Sequence, residues 1–194
     1  SVMTFGMNKI LLMFSSTATA VFGVYFKLQS FIFMPVFGLN NGMIPIVAYN
    51  YGSRNKRRII QTAKFSVAIA VTIMMIGLVL FQTCPRFFLS TLFDASDQML
   101  AIGVPALRII SLSFLFVGYN IIVGSVFQAL GNGVYSLIVS LARQLFTILP
   151  IAYIFAILFG LHAVWWAIPI SEIVSLIVST ILLKRIYRLK IAPL

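Results

Sequence analysis

Long runs of apolar residues, separated by short polar turns, make up most of the chain. The runs lack the strict alternation of apolar and polar residues that a membrane barrel needs, so they favour helices over strands. Turns rich in glycine, serine and asparagine, such as residues 52–55 and 131–133, separate successive runs. The pattern predicts six helices, over residues 1–14, 18–51, 64–81, 100–130, 135–159 and 162–183.

The lengths of two of these runs are unusual. A membrane crossing needs about 20 apolar residues, and a straight helix over residues 18–51 would reach about 50 Å. Because this run contains Pro35 and Pro45, we expect it to be bent or locally unwound between them. Residues 1–14 reach only about 21 Å, less than the roughly 30 Å of the hydrocarbon core. We interpret them as a helix cut partway along, in a piece of a longer protein.

Composition supports a membrane-embedded protein. The chain has 194 residues, of which 61% are hydrophobic and 9% are charged, and its mean hydropathy is +1.09. A soluble domain carries about 25% charged residues, so this chain has too few to cover a water-exposed surface. We therefore predict an all-α, polytopic helical bundle that forms a single transmembrane domain over residues 1–194.

The net charge of +11 indicates an orientation. Basic residues gather after the second and the last predicted helix; the proposed anchors are Arg54, Lys56, Arg57, Arg58, Lys184, Arg185 and Arg188. Four predicted crossings separate the two clusters, so both lie on one side. The positive-inside rule makes that side cytoplasmic, and we expect a plasma membrane, namely a bacterial inner membrane. The spread of the cations among apolar runs argues against a nucleic-acid partner.

The inventory of reactive side chains is poor. The acids are Asp94, Asp97 and Glu172, and the chain has one histidine, His162, and one cysteine, Cys84. An internal disulfide is excluded, and neither a metal site nor a hydrolytic site can be built from so few groups. We expect a protein that is not an enzyme, with no metal and no cofactor.

Polar residues at membrane depth are the candidates for function, because a charge there costs at least about 2.5–3.5 kcal/mol. The candidates for lining a substrate cavity are Lys27, Gln29, Asn40, Asn41, Arg143, Gln144 and Glu172. Glu172 is the only carboxylate at that depth, and we predict an ion pair with Arg143 or Lys27. The alternatives are a neutral, protonated Glu172 and an Arg143 that extends to the headgroups.

Several stretches of the sequence together resemble a known transporter family. They are residues 22–39 and 45–52, then 127–133 with Arg143, Gln144 and Pro150, and finally 160–161, Trp165 and 169–172. These resemble, in turn, the eighth helix, the tenth and eleventh helices, and the start of the twelfth helix of multidrug and toxic compound extrusion (MATE) transporters. The resemblance covers nearly the whole chain.

The resemblance implies the C-terminal lobe of a twelve-helix transporter, from a truncated seventh helix to the twelfth. Such transporters export cationic and amphipathic drugs in exchange for protons or sodium, by alternating access between two lobes. The implied partners are membrane lipid, small-molecule drugs and the missing N-terminal lobe. In one branch, acidic residues of helices seven and ten bind the cation. Residues 1–14 and 100–130 contain no Asp or Glu, so we expect the coupling site in the N-terminal lobe.

Two alternatives remain open at this stage. A lipid-linked oligosaccharide flippase of the same wider superfamily would carry more cations into its cavity than Lys27 and Arg143. A membrane scaffold without transport activity would have no need for polar residues at depth.

Overall fold

The computed structural model describes all residues, from Ser1 to Leu194, and contains helices and no strand. Its α-helices are α1 (Val2–Leu12), α2 (Ser16–Gly52), α3 (Lys56–Thr83), α4 (Pro85–Phe93), α5 (Asp97–Ser111), α6 (Phe114–Ala129), α7 (Gly133–Arg143), α8 (Leu149–Phe159), α9 (Leu161–Val164) and α10 (Ala167–Ile186). Two π-helical segments, Gln144–Ile148 and Tyr187–Ile191, follow α7 and α10. The prediction of an all-helical bundle is confirmed.

Four helical segments are long and apolar enough to cross a membrane. They are Ser16–Gly52, Lys56–Thr83, Gly133–Phe159 and Leu161–Ile191. The pair α5 and α6 also meets this criterion, although the two helices meet at an angle of 52°. The remaining apolar helix, α1, has only 11 residues. These elements correspond to the six predicted runs.

Of the two outcomes expected for residues 18–51, a bend or a locally unwound segment, helix α2 excludes the second. It is helical throughout Ser16–Gly52, with Pro35 and Pro45 inside it. Each proline removes only one backbone donor, and the residues on both sides continue the helix. A Cβ built on Gly38 or Gly42 would meet no atom within 4 Å, so these glycines make no close packing contact within the chain.

The fourth predicted helix is broken at a place that the sequence did not indicate. We expected one helix over residues 100–130, but the chain bends between α5 and α6. Gln82 of α3 donates from Nε2 to the carbonyl oxygen of Arg108 at 2.6 Å and to Ser111 Oγ at 2.9 Å, and Ser111 Oγ also donates to that carbonyl. These side chains satisfy the backbone carbonyl that ends α5.

Several segments that the sequence assigned to loops are helical. The first basic cluster begins α3 at Lys56 rather than preceding a helix at residue 64, because the Asn55 side chain caps the helix by accepting from the backbone N–H of Arg58 at 3.2 Å. Arg86 lies in the short helix α4, and Asp97 is the first residue of α5. Asp94 does lie in a turn, where its φ of 47° ends α4.

Close contact between backbones holds the centre of the bundle. Gly118 of α6 faces α3 so closely that an added Cβ would lie 3.0 Å from the carbonyl carbon and oxygen of Ala70. Small residues at such contacts are typical of membrane helix pairs, whose association depends on van der Waals packing. This contact fixes α6, which carries part of the site described below, against α3.

The two basic clusters lie at the same end of the bundle. Lys56 donates from Nζ to the carbonyl oxygen of Ala192 at 3.2 Å, and its ammonium lies 5.7 Å from the ring centroid of Tyr187. Lys190 donates to the carbonyl oxygen of Leu130 at 2.6 Å. The start of α3 and the end of the chain therefore meet, as an even number of crossings requires. Cys84, which follows the other end of α3, lies at the opposite end.

Candidate functional site

A cavity of about 320 Å³ lies among α2, α6, the π-helical segment after α7, and α10. One wall is aromatic and is formed by Tyr25, Phe26, Phe33 and Phe37 of α2. The polar side chains that face it include Gln29, Arg143, Gln144 and Glu172. The cavity thus combines aromatic faces with a small number of polar and charged groups.

An ion pair forms one edge of this cavity. Arg143 donates from one guanidinium nitrogen to Glu172 Oε1 at 3.2 Å, and Asn120 donates from Nδ2 to Glu172 Oε2 at 2.8 Å. Asn120 Oδ1 in turn accepts a hydrogen bond from Ser179 Oγ at 3.2 Å. Both carboxylate oxygens are therefore held, and the network joins α6, α7 and α10. The ion pair predicted from the sequence is present, and Arg143 is the partner.

The network lies deep in the bundle. Arg143 is ten residues beyond Gly133 and Glu172 is fourteen before Ile186, which places them about 15–21 Å from the basic end at 1.5 Å per residue. This distance is about half the thickness or more of a hydrocarbon core of roughly 30 Å. The side chains of Arg143 and Glu172 are 25% and 7% exposed. Arg143 therefore pairs inside the bundle and does not extend to the headgroups.

A second, more polar cavity continues from the first. It has a volume of about 230 Å³ and shares Phe37, Ile121 and Arg143 with the aromatic cavity. Its other polar residues are Asn40, Asn120, Ser125, Gln128, Ser136, Ser140 and Ser175. The buried atoms Asn40 Oδ1 and Ser175 Oγ have no hydrogen-bond partner in the protein. Arg143 thus lies between an aromatic and a polar compartment.

The structure brings five of the seven candidate residues to these cavities and leaves two outside. Gln29, Gln144 and the ion pair line the first cavity, and Asn40 lines the second. Lys27 is exposed, and its ammonium lies 6.0 Å from the ring centroid of Phe93. Asn41 is also exposed, because successive residues of a helix point about 100° apart.

Asn120 is the residue that sequence reasoning missed. It is 5% exposed and contacts Glu172 through both the carboxylate and the backbone carbonyl. An amide in the middle of the apolar helix α6 was the available signal, since a buried polar group needs a hydrogen-bond partner. No three side chains of the types His, Cys, Asp and Glu come together anywhere in the structure.

Long apolar helices, one of them broken, surround a polar cavity with paired charges, an arrangement that recurs in secondary transporters. The family model described as MatE matches residues 1–154. The chain therefore belongs to the MatE family, which the resemblance predicted.

Curated relatives support the same family. The chain is 28% identical over 167 residues to the multidrug export protein MepA of Staphylococcus haemolyticus. This match covers 86% of this chain and 36% of that protein. It is 24% identical over 176 residues to MepA of Staphylococcus saprophyticus, covering 91% and 38%. The chain thus spans little more than a third of the length of these relatives.

Solved structures share the fold of the whole chain. A multidrug resistance MATE family transporter of the MOP superfamily in an outward-facing conformation matches 99% of this chain and 43% of its own, with a TM-score of 0.90 and 22% identity. An inward-facing structure described in the same words matches 99% and 44%, with a TM-score of 0.88 and 21% identity. The MATE transporter VcmN of Vibrio cholerae, in its bent form, matches with a TM-score of 0.90 and 16% identity, over 97% of this chain and 43% of its own. The chain therefore has the fold of one lobe of such transporters.

Proposed function

We propose that this chain is the C-terminal lobe of a multidrug exporter of the MATE type. The complete protein would move cationic or amphipathic drugs outward, by alternating access between two lobes, in antiport with protons or sodium. The observation that carries the proposal is the aromatic cavity with the Arg143–Glu172 pair at its edge. The names of the curated relatives support the same activity.

The cavity suits flat organic cations. Tyr25, Phe26 and Phe33 offer ring faces, which attract cations and stack on aromatic drugs. Glu172 supplies the one negative charge, and a drug cation would compete with Arg143 for it. Gln29 and Gln144 add neutral amides, which can donate hydrogen bonds to a ligand and accept hydrogen bonds from it. A phosphate-bearing lipid substrate would find only one cation at this cavity, Arg143, which disfavours the flippase alternative.

Alternating access is proposed to move this lobe as a rigid body. Its fold matches an outward-facing and an inward-facing transporter almost equally, with TM-scores of 0.90 and 0.88. Helix α2 leaves Phe31, Met34, Phe37 and Tyr49 between 50% and 76% exposed. We propose that the N-terminal lobe faces this side of α2 and that lipid covers other apolar surfaces of the lobe.

The coupling site is proposed to lie in the N-terminal lobe. Glu172 is the only carboxylate at membrane depth in this chain, and both of its oxygens are already bound by Arg143 and Asn120. A sodium ion would need further oxygen ligands close to that carboxylate. The paired state of Glu172 thus supports its role in shaping the cavity rather than in carrying the coupling ion.

Drug efflux from a pump-deficient bacterium tests the proposal. We expect no efflux of ethidium from cells that express this chain alone, because one lobe cannot enclose a cavity that alternates between two sides. Efflux should appear when the chain is joined behind an N-terminal MATE lobe. In that joined protein, Arg86→Gln, an exposed position of α4 outside both cavities, serves as a control and should retain activity. Gradient-dependent efflux by the chain alone would refute both the half-transporter interpretation and the location of the coupling site.

The proposed orientation makes a separate prediction for Cys84. This cysteine is exposed and lies at the end of α3 opposite the basic clusters, which the positive-inside rule places in the cytoplasm. A membrane-impermeant thiol reagent should therefore label Cys84 in intact cells, when the joined N-terminal lobe is cysteine-free. A Cys84→Ser variant controls for labelling of other proteins. Labelling that occurs only in inverted vesicles would reverse the topology.

A further inference from the structure

A groove of about 510 Å³ lies at the basic end of the bundle, between the start of α3 and the end of α10. It is separate from the two cavities described above and shares no residue with them. Apolar side chains, among them Ile59, Ile60, Val126 and Leu183, form its floor. Three cationic side chains line it: Lys64, Lys184 and Arg188. The groove is therefore apolar within and positive at its edge.

The cations of this groove have no anionic partner in the protein. The only ion pair of the chain joins Arg143 to Glu172, and the two remaining acids, Asp94 and Asp97, lie near the opposite end. Two neighbouring lysines are held by hydrogen bonds, because Lys56 and Lys190 donate to backbone carbonyls. Lys64, Lys184 and Arg188 make no such hydrogen bond, and all three are exposed. Their positive charge is therefore available to an anion from outside the chain.

We propose that this groove binds one anionic phospholipid. Its phosphate would lie among Lys64, Lys184 and Arg188, and an acyl chain would cover the apolar floor. Lys64 lies about 12 Å along α3 from Lys56 at 1.5 Å per residue, and long basic side chains reach the headgroup region from such depths. The anionic lipids of the cytoplasmic leaflet complement this charge, and the apolar floor favours a lipid over a free phosphate ion.

Two variants test charge and shape separately, in the chain joined to an N-terminal lobe and purified in detergent. Lys184→Gln/Arg188→Gln removes two of the three cations and leaves the floor intact. Ala63→Trp fills the floor and leaves all cations in place, because Ala63 lines the groove. The matched control is Arg57→Gln/Arg58→Gln, which removes the same charge from exposed positions at the same end. Native mass spectrometry would count the phospholipids retained from a mixture of phosphatidylglycerol and phosphatidylcholine.

The charge variant should lower the affinity for phosphatidylglycerol roughly thirtyfold, from about 1 kcal/mol for each basic residue near an anionic headgroup. Ala63→Trp should also reduce retention. The Arg57/Arg58 control should lose much less affinity for phosphatidylglycerol than the charge variant, because salt screens exposed charges that do not contact the lipid. Retention of phosphatidylcholine should stay low throughout, and inorganic phosphate in excess should not displace the bound lipid.

Three results would overturn the proposal. Equal loss in the charge variant and the Arg57/Arg58 control would indicate a diffuse surface potential without a site. Displacement by inorganic phosphate, together with unchanged retention in Ala63→Trp, would indicate a free-anion site. Equal retention of both lipids would indicate apolar binding without recognition of the headgroup. Because charge and shape are altered in different variants, failure of one variant to fold leaves the other to decide.

Discussion

Glu172→Ala is expected to lower the free energy of unfolding by about 3 kcal/mol, the lower part of the range for breaking a buried ion pair. The variant leaves Arg143 without an anion near the middle of the bundle and removes one of the two acceptors of Asn120 Nδ2, while the backbone carbonyl of residue 172 remains. The lower value applies because the Arg143 side chain is 25% exposed and keeps some hydration. Thermal and denaturant unfolding in detergent measure the change.

The controls for Glu172 separate the ion pair from its surroundings. Glu172→Gln should cost less than Glu172→Ala, because the amide oxygen still accepts one hydrogen bond. The double variant Glu172→Gln/Arg143→Gln should be more stable than the sum of the single changes indicates, since contacting residues are coupled by 0.5–3 kcal/mol. Lys27→Gln, an exposed cation outside the cavities, should change stability by less than about 0.5 kcal/mol. Equal stabilities of all these proteins would show that Glu172 faces water and has no partner.

Trp165→Ala is expected to be at least as damaging, with a loss of about 3–5 kcal/mol. Trp165 precedes α10 and is fully buried, with its ring centroid 6.3 Å from that of Phe22 in α2. Truncation leaves a cavity between these elements, and surrounding lipid cannot replace the lost van der Waals contacts. The same unfolding measurements in detergent test this value.

The neighbouring residue provides a matched control. Trp166 is 43% exposed, and Trp166→Ala removes the same side chain without opening an internal cavity. Its effect on the free energy of unfolding should stay below about 1 kcal/mol. If Trp166→Ala were as destabilising as Trp165→Ala, loss of interfacial anchoring by tryptophan would explain both effects and the packing at Trp165 would not.

The pairing of Glu172 could be predicted because an unpaired carboxylate at membrane depth costs a large free energy. A single carboxylate at membrane depth requires a partner, and the chain offers few cations at the same depth. The sequence left both Arg143 and Lys27 as possible partners of Glu172, since the choice depends on which helix faces point toward one another. The structure places Lys27 beside Phe93, on another face of α2. Asn120 escaped prediction because one amide in an apolar helix is a weaker signal than a charge.

The positions of the helix breaks could not be predicted from local sequence. We expected a bend or an unwound segment between Pro35 and Pro45, but α2 is helical through both. The bend lies instead between α5 and α6, where Gln82 of α3 donates a hydrogen bond to the carbonyl of Arg108. That contact joins residues distant in sequence, so no local pattern reports it. The short helix α4 is similar, because nine residues are too few for a clear periodic signal.

The first turn of α3 shows a conflict between membrane insertion and helix stability. Its residues Lys56, Arg57 and Arg58 place three cations at the positive end of the helix dipole, where each is unfavourable by about 0.3–1 kcal/mol. The Asn55 cap offsets about 1 kcal/mol of this cost. Lys56 also directs its ammonium to the carbonyl of Ala192, at the negative end of the last helical segment. A residue that opposes the dipole of its own helix thus complements the dipole of another.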